Sequence, residues 1–330
     1  MKTKIRRIFS ILMLVILILT LVTLTAGAIA KSNLAKQYPA PGQLVDVGGY
    51  KMHINCTGQG SPTVILAAGM GDFSLTWAKV QPEIAKYTRV CSYDRAGLGW
   101  SEPSRGPRTA NTMVKELHTL LVNANVEGPY VLVGHSMGGV LMRVYANNYP
   151  KEVNGMVLVD SAHEGQMNLL PESMLKAIED MASQARIFEL LSSTGLMAMA
   201  PQNIPNPGIP DDAYAQYQAI MATTENMAMG TVEMNTIEES YTEVRAAHIT
   251  SFGNMPLIVL SRGYWDPISS ISDADNKQAW EVWQALQSEM VGLSSDSKQV
   301  IAKHSGHNIQ LDQPDLVIDA IRETIDAIQE

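Results

Sequence analysis

Several side chains of this sequence could act together in nucleophilic catalysis. The first of them is a serine in a glycine-rich segment between two apolar runs. Ser136 lies in the stretch GHSMGG at positions 134–139. The apolar run Tyr130–Val133 before it predicts a buried strand, and the run 140–149 after it predicts a helix ended by Pro150. So tight a turn needs small neighbours, which the glycines supply. The pattern Gly-x-Ser-x-Gly in this setting is typical of a nucleophilic serine held above a sheet.

A serine nucleophile needs a base that accepts its proton. His307 follows Gly306 in the stretch KHSGHNIQLDQP, between the last predicted strand and the last predicted helix. From such a loop its ring can reach the serine, so we predict that His307 is the base. His304 is the alternative, but it adjoins the end of the strand.

The base in turn needs a carboxylate that orients it. Asp266 lies in the loop after the strand of MPLIVLSRGYWDPISS, from where it can reach the histidine loop of the next strand. Asp160, at the end of the strand GMVLVD, is the alternative acid. We predict Asp266 as the acid.

An oxyanion formed on the substrate needs backbone N–H donors. Met137 follows the nucleophile at a helix N-terminus, and Met70 lies in the loop AAGMGDFS, where glycines let amides turn inward. These two amides are the predicted oxyanion hole. The scattered histidines predict no metal site, and no dinucleotide-binding glycine pattern follows the first strand, so no cofactor is expected.

Alternating strands and helices must position these residues, which predicts a parallel α/β sheet with helices on both faces. The chain has 330 residues, of which 46% are hydrophobic, enough for a sizeable core. Strands are predicted at 44–47, 50–56, 63–67, 89–93, 130–133, 155–159, 257–260 and 299–302, with helices at 77–86, 109–124, 140–149 and 314–328.

A helical insertion interrupts this alternation. We predict a core in two parts, 43–160 and 253–330, with a cap at 161–252 above the carboxyl edge of the sheet, where open α/β sheets bind ligands. The cap holds nine of the nineteen methionines, which suit an adaptable apolar cavity or an ordinary helix core. It carries twelve acidic residues against three basic ones, which disfavours polyanionic substrates.

The N-terminus predicts contact with a membrane. Four cations in the first seven residues precede the uncharged apolar run 8–30. Residues 1–30 are therefore interpreted as a signal anchor, with a cleaved signal peptide as the alternative, and 31–42 as a polar linker. The folded part then lies outside the cytoplasm, anchored or secreted. The net charge of −9 disfavours nucleic acid as a partner.

Two cysteines lie in strand-like segments. Cys56 ends YKMHINC and Cys91 lies in TRVCSYD. In an oxidising compartment they could form a disulfide, and two isolated buried thiols are the equal alternative.

Taken together, these motifs resemble the α/β-hydrolase family. The resemblance covers about 44–330 and depends on GHSMGG, on DRAGLGWS at 94–101, on GYWD at 263–266 and on Gly306-His307. It implies an eight-stranded sheet whose second strand is antiparallel and beside the fourth. That would place Cys56 and Cys91 on neighbouring strands and favour the disulfide. The oxyanion loop of this family often begins His-Gly, whereas here it begins Ala68-Gly69.

The expected activity is hydrolysis of carboxylic esters of neutral, fairly apolar small molecules through an acyl-enzyme on Ser136. The same triad could cleave amides, as in aminopeptidases acting on N-terminal proline, if a cap carboxylate such as Glu225, Glu238 or Glu239 bound the amine. Carbon–carbon bond hydrolysis is a further alternative. A ligand receptor or scaffold on a hydrolase frame is the non-enzymatic one.

Overall fold

Eight strands form one sheet in the computed structural model, which describes residues 2–104 and 106–329. Their order across the sheet is β1-β2-β4-β3-β5-β6-β7-β8. The strands are β1 (Gln43–Asp46), β2 (Lys51–Thr57), β3 (Thr63–Ala67), β4 (Val90–Tyr93), β5 (Tyr130–His135), β6 (Val153–Val159), β7 (Leu257–Arg262) and β8 (Ser297–Ala302).

The sheet is parallel except at one edge. There β2 pairs antiparallel with both β1 and β4, and the pairings from β4 through β8 are parallel. All residues of β3, β4 and β5 are buried, as expected of parallel strands covered on both faces. The predicted α/β class, the eight strands and the antiparallel second strand beside the fourth are confirmed.

The helices are α1 (Lys2–Gln37), α2 (Gln81–Ile84), α3 (Ala110–Asn123), α4 (Met137–Asn148), α5 (Gln166–Leu169), α6 (Glu172–Ser193), α7 (Leu196–Met199), α8 (Asp211–Met221), α9 (Thr224–Asn235), α10 (Ile237–Ala247), α11 (Asp273–Val291), α12 (Ile309–Asp312) and α13 (Pro314–Gln329). Both faces of the sheet are covered by helices, with α3 and α4 on one face and α2 and α13 on the other. Along β5 the side chains alternate between two cores: Leu132 packs with residues of α3 and α4, whereas Val131 and Val133 pack with α2 and α13.

The six helices α5–α10 lie between β6 and β7, within the segment expected to form the cap. The last of them differs from the others, because Tyr241 and Val244 of α10 pack into the core cluster of α3 and α4. A third cluster joins the cap helices to the sheet edge through Phe73, Tyr217 and Met229.

The N-terminal helix is longer than expected. Residues 31–37, interpreted from the sequence as linker, continue α1. Pro39 explains where the helix stops, because a proline disfavours helical backbone at the preceding residue. From Thr3 to Gln37 the helix is long and apolar enough to cross a membrane, and its large apolar side chains between Ile5 and Ile29 are exposed.

A disulfide joins the antiparallel edge to the rest of the sheet. Cys56 of β2 lies directly opposite Cys91 of β4, and their sulfurs are bonded. Of the two alternatives for these cysteines, the structure has the disulfide.

Candidate active site

Ser136 lies alone in the turn between β5 and α4, in strained backbone. Its φ of 52° and ψ of −121° fall in a region that residues with a Cβ seldom adopt. The turn has no room for larger neighbours. A Cβ on Gly134 would lie 2.5 Å from the backbone of Gly138, and one on Gly138 would lie 2.3 Å from the carbonyl oxygen of Ala67. The chain therefore has the strand–turn–helix shape that the motif predicts.

Asp160, the alternative acid, contacts His307. Its Oδ2 lies 2.6 Å from Nδ1 of the imidazole, in hydrogen-bonding position. The preferred acid, Asp266, is exposed, and the described residues show no hydrogen bond between it and His307. The preference for Asp266 therefore does not match the geometry. Asp266 lies four residues beyond the end of β7, whereas Asp160 directly follows β6.

The position of Asp160 is fixed by several donors. The backbone N–H and Nε of Arg262 donate to its carboxylate over 3.1 and 2.5 Å, and Nε1 of Trp283 donates over 2.9 Å. Burial alone would raise the pKa of Asp160, but the hydrogen bond from His307 and the charge of Arg262 hold it below its usual value. The carboxylate is thus ionised, fully buried and immobile beside the histidine.

Arg262 was not singled out by the sequence, yet it contacts both partners of this pair. Its guanidinium nitrogen lies 2.8 Å from Nδ1 of His307, and its planar group stacks over the rings of Trp283 and Trp265 at 4.4 and 5.0 Å. Planar stacking suits arginine better than lysine. The sequence does contain a hint of this role, because Arg262 comes just after a predicted strand and is followed closely by two aromatic residues.

His135, next to the serine, connects the elbow to the histidine loop. Its Nε2 lies 2.9 Å from the carbonyl oxygen of His307, and the two rings are 4.6 Å apart. Burial and the neighbouring charge of His307 lower the pKa of His135 to about 3, so its ring is neutral and can donate from Nε2. The backbone of His307 is therefore bonded to the residue next to Ser136, while His304 is exposed.

The loop that contains Met70 is held in place by hydrogen bonds from a buried arginine. Arg95 donates to the carbonyl oxygens of Ala68 and Gly69 over 2.8 and 2.6 Å. Met137 is the first residue of α4. Within residues 2–104 and 106–329, neither the Met70 nor the Met137 amide donates a hydrogen bond to a protein acceptor. Both amides thus remain able to bind a substrate oxygen, as an oxyanion hole requires.

A buried ion pair links this loop to the cap. Arg95 donates to both carboxylate oxygens of Glu233, on α9, over 2.6 and 2.8 Å. The same carboxylate accepts the Gly71 amide over 2.9 Å. Both side chains are nearly inaccessible to solvent. The cap therefore positions the predicted oxyanion loop directly, a role that sequence reasoning did not assign to Glu233.

Asp72 is an acid of this loop that sequence reasoning missed. Burial raises the pKa of Asp72 to about 6, although the charges of Arg95 and His307 act in the opposite direction. The signal was visible, because Asp72 is the only charged residue of the loop AAGMGDFS. It places a carboxyl that titrates near neutrality close to the histidine loop.

The cap carboxylates considered for amine binding lie elsewhere or cannot be placed. Glu238 is exposed and bonded to Arg245, and Glu239 is exposed. The side chain of Glu225 lies outside the described part of the structure.

We compared the sequence and the fold with those of known proteins. A family model described as the alpha/beta hydrolase fold matches residues 62–191. The protein YqjL of Bacillus subtilis strain 168 is 31% identical over 262 residues, which cover 79% of this chain and 82% of that protein.

Two solved structures share the fold at low sequence identity. An esterase from Thermogutta terrifontis superposes with a TM-score of 0.59 and 21% identity, covering 87% of this chain and 97% of that one. The epoxide hydrolase CorEH superposes with a TM-score of 0.63 and 18% identity, covering 87% and 98%. At these identities the likeness is one of fold.

Proposed function

Since the chain belongs to the α/β-hydrolase family, we propose that it is a serine hydrolase that cleaves carboxylic esters of neutral, fairly apolar small molecules. One observation carries the proposal: a histidine bonded to a buried aspartate is also bonded, through its backbone, to the residue that precedes a strained serine at a strand-to-helix turn. This is the arrangement of nucleophile, base and acid that acyl transfer needs. A serine rather than an aspartate at the turn favours acyl transfer over epoxide opening.

The contact between His307 and Asp160 supports the following proton positions. His307 donates its Nδ1 proton to Asp160, so the Arg262 nitrogen beside Nδ1 acts there as a neighbouring charge and not as a donor. Nε2 is then free to accept the proton of Ser136. The serine oxygen then attacks the acyl carbon, and the amides of Met70 and Met137 stabilise the oxyanion. The protonated imidazole, stabilised by Asp160, gives its proton to the leaving alcohol, and water releases the acid from the acyl-enzyme.

The test is hydrolysis of p-nitrophenyl esters from acetyl to dodecanoyl by the full chain in mild detergent. Ser136→Ala should lower kcat by on the order of 10⁴–10⁶, because the nucleophile is lost while the fold is kept. Ser173→Ala, in the cap, is a matched control and should stay within twofold. Turnover that persists in Ser136→Ala, or failure of a fluorophosphonate to label Ser136 in an inactive wild type, would contradict the proposal.

We also propose that α1 anchors this domain in a membrane with the catalytic part outside the cytoplasm. The exposed apolar surface of the helix and the four cations before it support this topology. After alkaline carbonate extraction the full chain should stay with the membrane, and protease added to the outer side should digest the catalytic part. Release by carbonate would contradict anchoring.

A further inference from the structure

The cap contains an apolar cavity that the proposed chemistry does not use. It measures about 520 Å³ and is lined by residues of α7, α8 and α9 and the segment between α7 and α8, among them Met197, Ile204, Met221 and Met227. Among its described lining residues, Asn203 alone has a polar side chain. The volume lies within the range of about 300–1,000 Å³ that small-molecule sites occupy. A cavity of this lining suits a flexible hydrocarbon chain.

The inner wall of the cavity adjoins the predicted oxyanion loop. Met197, Ile204 and Met221 belong to the apolar cluster that contains Phe73 and Tyr217. Phe73 directly follows the loop, and its ring stacks on that of Tyr217 with centroids 5.4 Å apart. One cluster of packed apolar side chains thus joins the cavity wall to Phe73, the residue that follows the predicted oxyanion loop.

The outer wall adjoins α1. Gly27 of α1 packs against the backbone of the cap, where a Cβ on Gly27 would lie 2.5 Å from the carbonyl oxygen of Thr194 and 2.7 Å from Cα of Gly195. Leu196 and Met199, which follow this contact, are 43% and 48% exposed. Leu196 also lines the cavity. The cavity therefore opens beside the N-terminal helix, next to exposed apolar side chains.

The position of this contact along α1 relates the cavity to the membrane surface. The segment from Ile8 to Gly27 has twenty residues and no charge, and about twenty apolar residues span a bilayer core. Gly27 is then at the boundary of the hydrocarbon region. Beyond it, Ala30 and Leu34 pack onto the apolar cluster of the cap. The cap face around Gly195 thus rests at the bilayer surface.

We infer that this cavity takes up the acyl chain of a lipid ester directly from the membrane leaflet on which the cap rests. The substrate role of that chain rests on the proposed esterase activity, and the direction of entry rests on anchoring by α1. Passage of an acyl chain through water would cost about fourfold in population per methylene. A chain that moves from the hydrocarbon region into the cavity avoids that cost.

The first experiment measures binding without turnover. Full-length protein carrying Ser136→Ala is placed in phosphatidylcholine nanodiscs with palmitic acid that bears a photoreactive diazirine near its terminal methyl group. After irradiation, we expect cross-linked peptides from 196–205 and 221–227, identified by mass spectrometry. Cross-links confined to α1 would overturn the inference.

The second experiment fills the cavity. Ala200 lines it, so Ala200→Trp should lower cross-linking at least fivefold and hydrolysis of the dodecanoyl ester at least tenfold, with the acetyl ester within twofold. The matched control is Gln202→Trp, an exposed neighbour outside the lining, which should change neither. Met227→Trp fills the other wall and replaces Ala200→Trp if that variant does not fold. Equal cross-linking in the filled and control variants would overturn the inference.

The possible results distinguish the lipid site from the proposed esterase activity and from the proposed anchoring by α1. Cavity cross-links in a protein that hydrolyses no ester would retain the lipid site and reject the esterase. Ester turnover with no cavity cross-link would retain the esterase and reject the lipid site. Carbonate extraction reports on anchoring alone.

Discussion

Asp160, at the carboxyl edge of the sheet, accepts hydrogen bonds from three residues, whereas the described lining of the cap cavity has one polar side chain, that of Asn203. The sheet edge fixes individual atoms, because buried charges must be paired and satisfied. The cap shapes a volume with methionines, which adapt to what they contact. Substitutions at the edge should therefore change the rate of the chemistry, and substitutions in the cavity wall should change the choice of substrate.

After loss of Ser136, the largest effect expected at the sheet edge comes from exchanging the two candidate acids separately. Asp160→Asn should lower kcat by on the order of 10³–10⁴, because an amide cannot hold the imidazole in the required tautomer. Asp266→Asn, on an exposed loop, should stay within threefold. Steady-state kinetics on one p-nitrophenyl ester measure both. The reverse order would restore Asp266 as the acid and mean that the His307 loop rearranges when substrate binds.

Loss of the ion pair between Arg95 and Glu233 should weaken the contact between the sheet edge and the cap. Glu233→Gln removes the carboxylate that is bonded to the buried Arg95 guanidinium and should lower the free energy of unfolding by about 3–5 kcal/mol. Guanidinium denaturation in mild detergent measures this loss. Glu238→Gln removes the exposed partner of Arg245 and should cost less than about 1 kcal/mol. Equal losses for the two variants would mean that the buried pair does not hold the cap to the oxyanion loop.

The smallest effect expected is a pH dependence that originates at Asp72. Its pKa of about 6 lies above the ordinary value of 3.8, so between these two pH values the folded chain keeps a proton that the unfolded chain has lost. The stability contributed by this group therefore falls as pH rises from about 4 to 6. Asp72→Asn should raise the melting temperature relative to wild type at pH 8 but not at pH 4. A difference that is the same at both pH values would contradict the raised pKa.

The sheet was predictable because its signals are local. Buried strands such as Thr63–Ala67 are short apolar runs, and the turn at Ser136 requires glycines that any fold of this type would need. The antiparallel β2 followed from the family resemblance, not from periodicity. The prediction of a linker was wrong for residues 31–37, which are helical, because no residue there ends a helix before Pro39.

The carboxylate that contacts His307 could not be chosen from the sequence in the same way. Both candidates follow strands, and what distinguishes them is three-dimensional. Asp160 has a φ of 41° and contacts Arg262 and Trp283, which lie more than a hundred residues later. The role of Glu233 could not be predicted either, because its partner Arg95 is 138 residues away in the sequence. Long-range pairing of buried charges leaves no periodic signature along the chain.

The disulfide between β2 and β4 has a consequence for the order in which the chain matures. Both cysteines precede Ser136 along the chain, so in an oxidising compartment the bond can close before the nucleophile has been synthesised. A bond formed at that stage holds β2 beside β4 before β5, which completes the pairing of β3 on its other side, has been made.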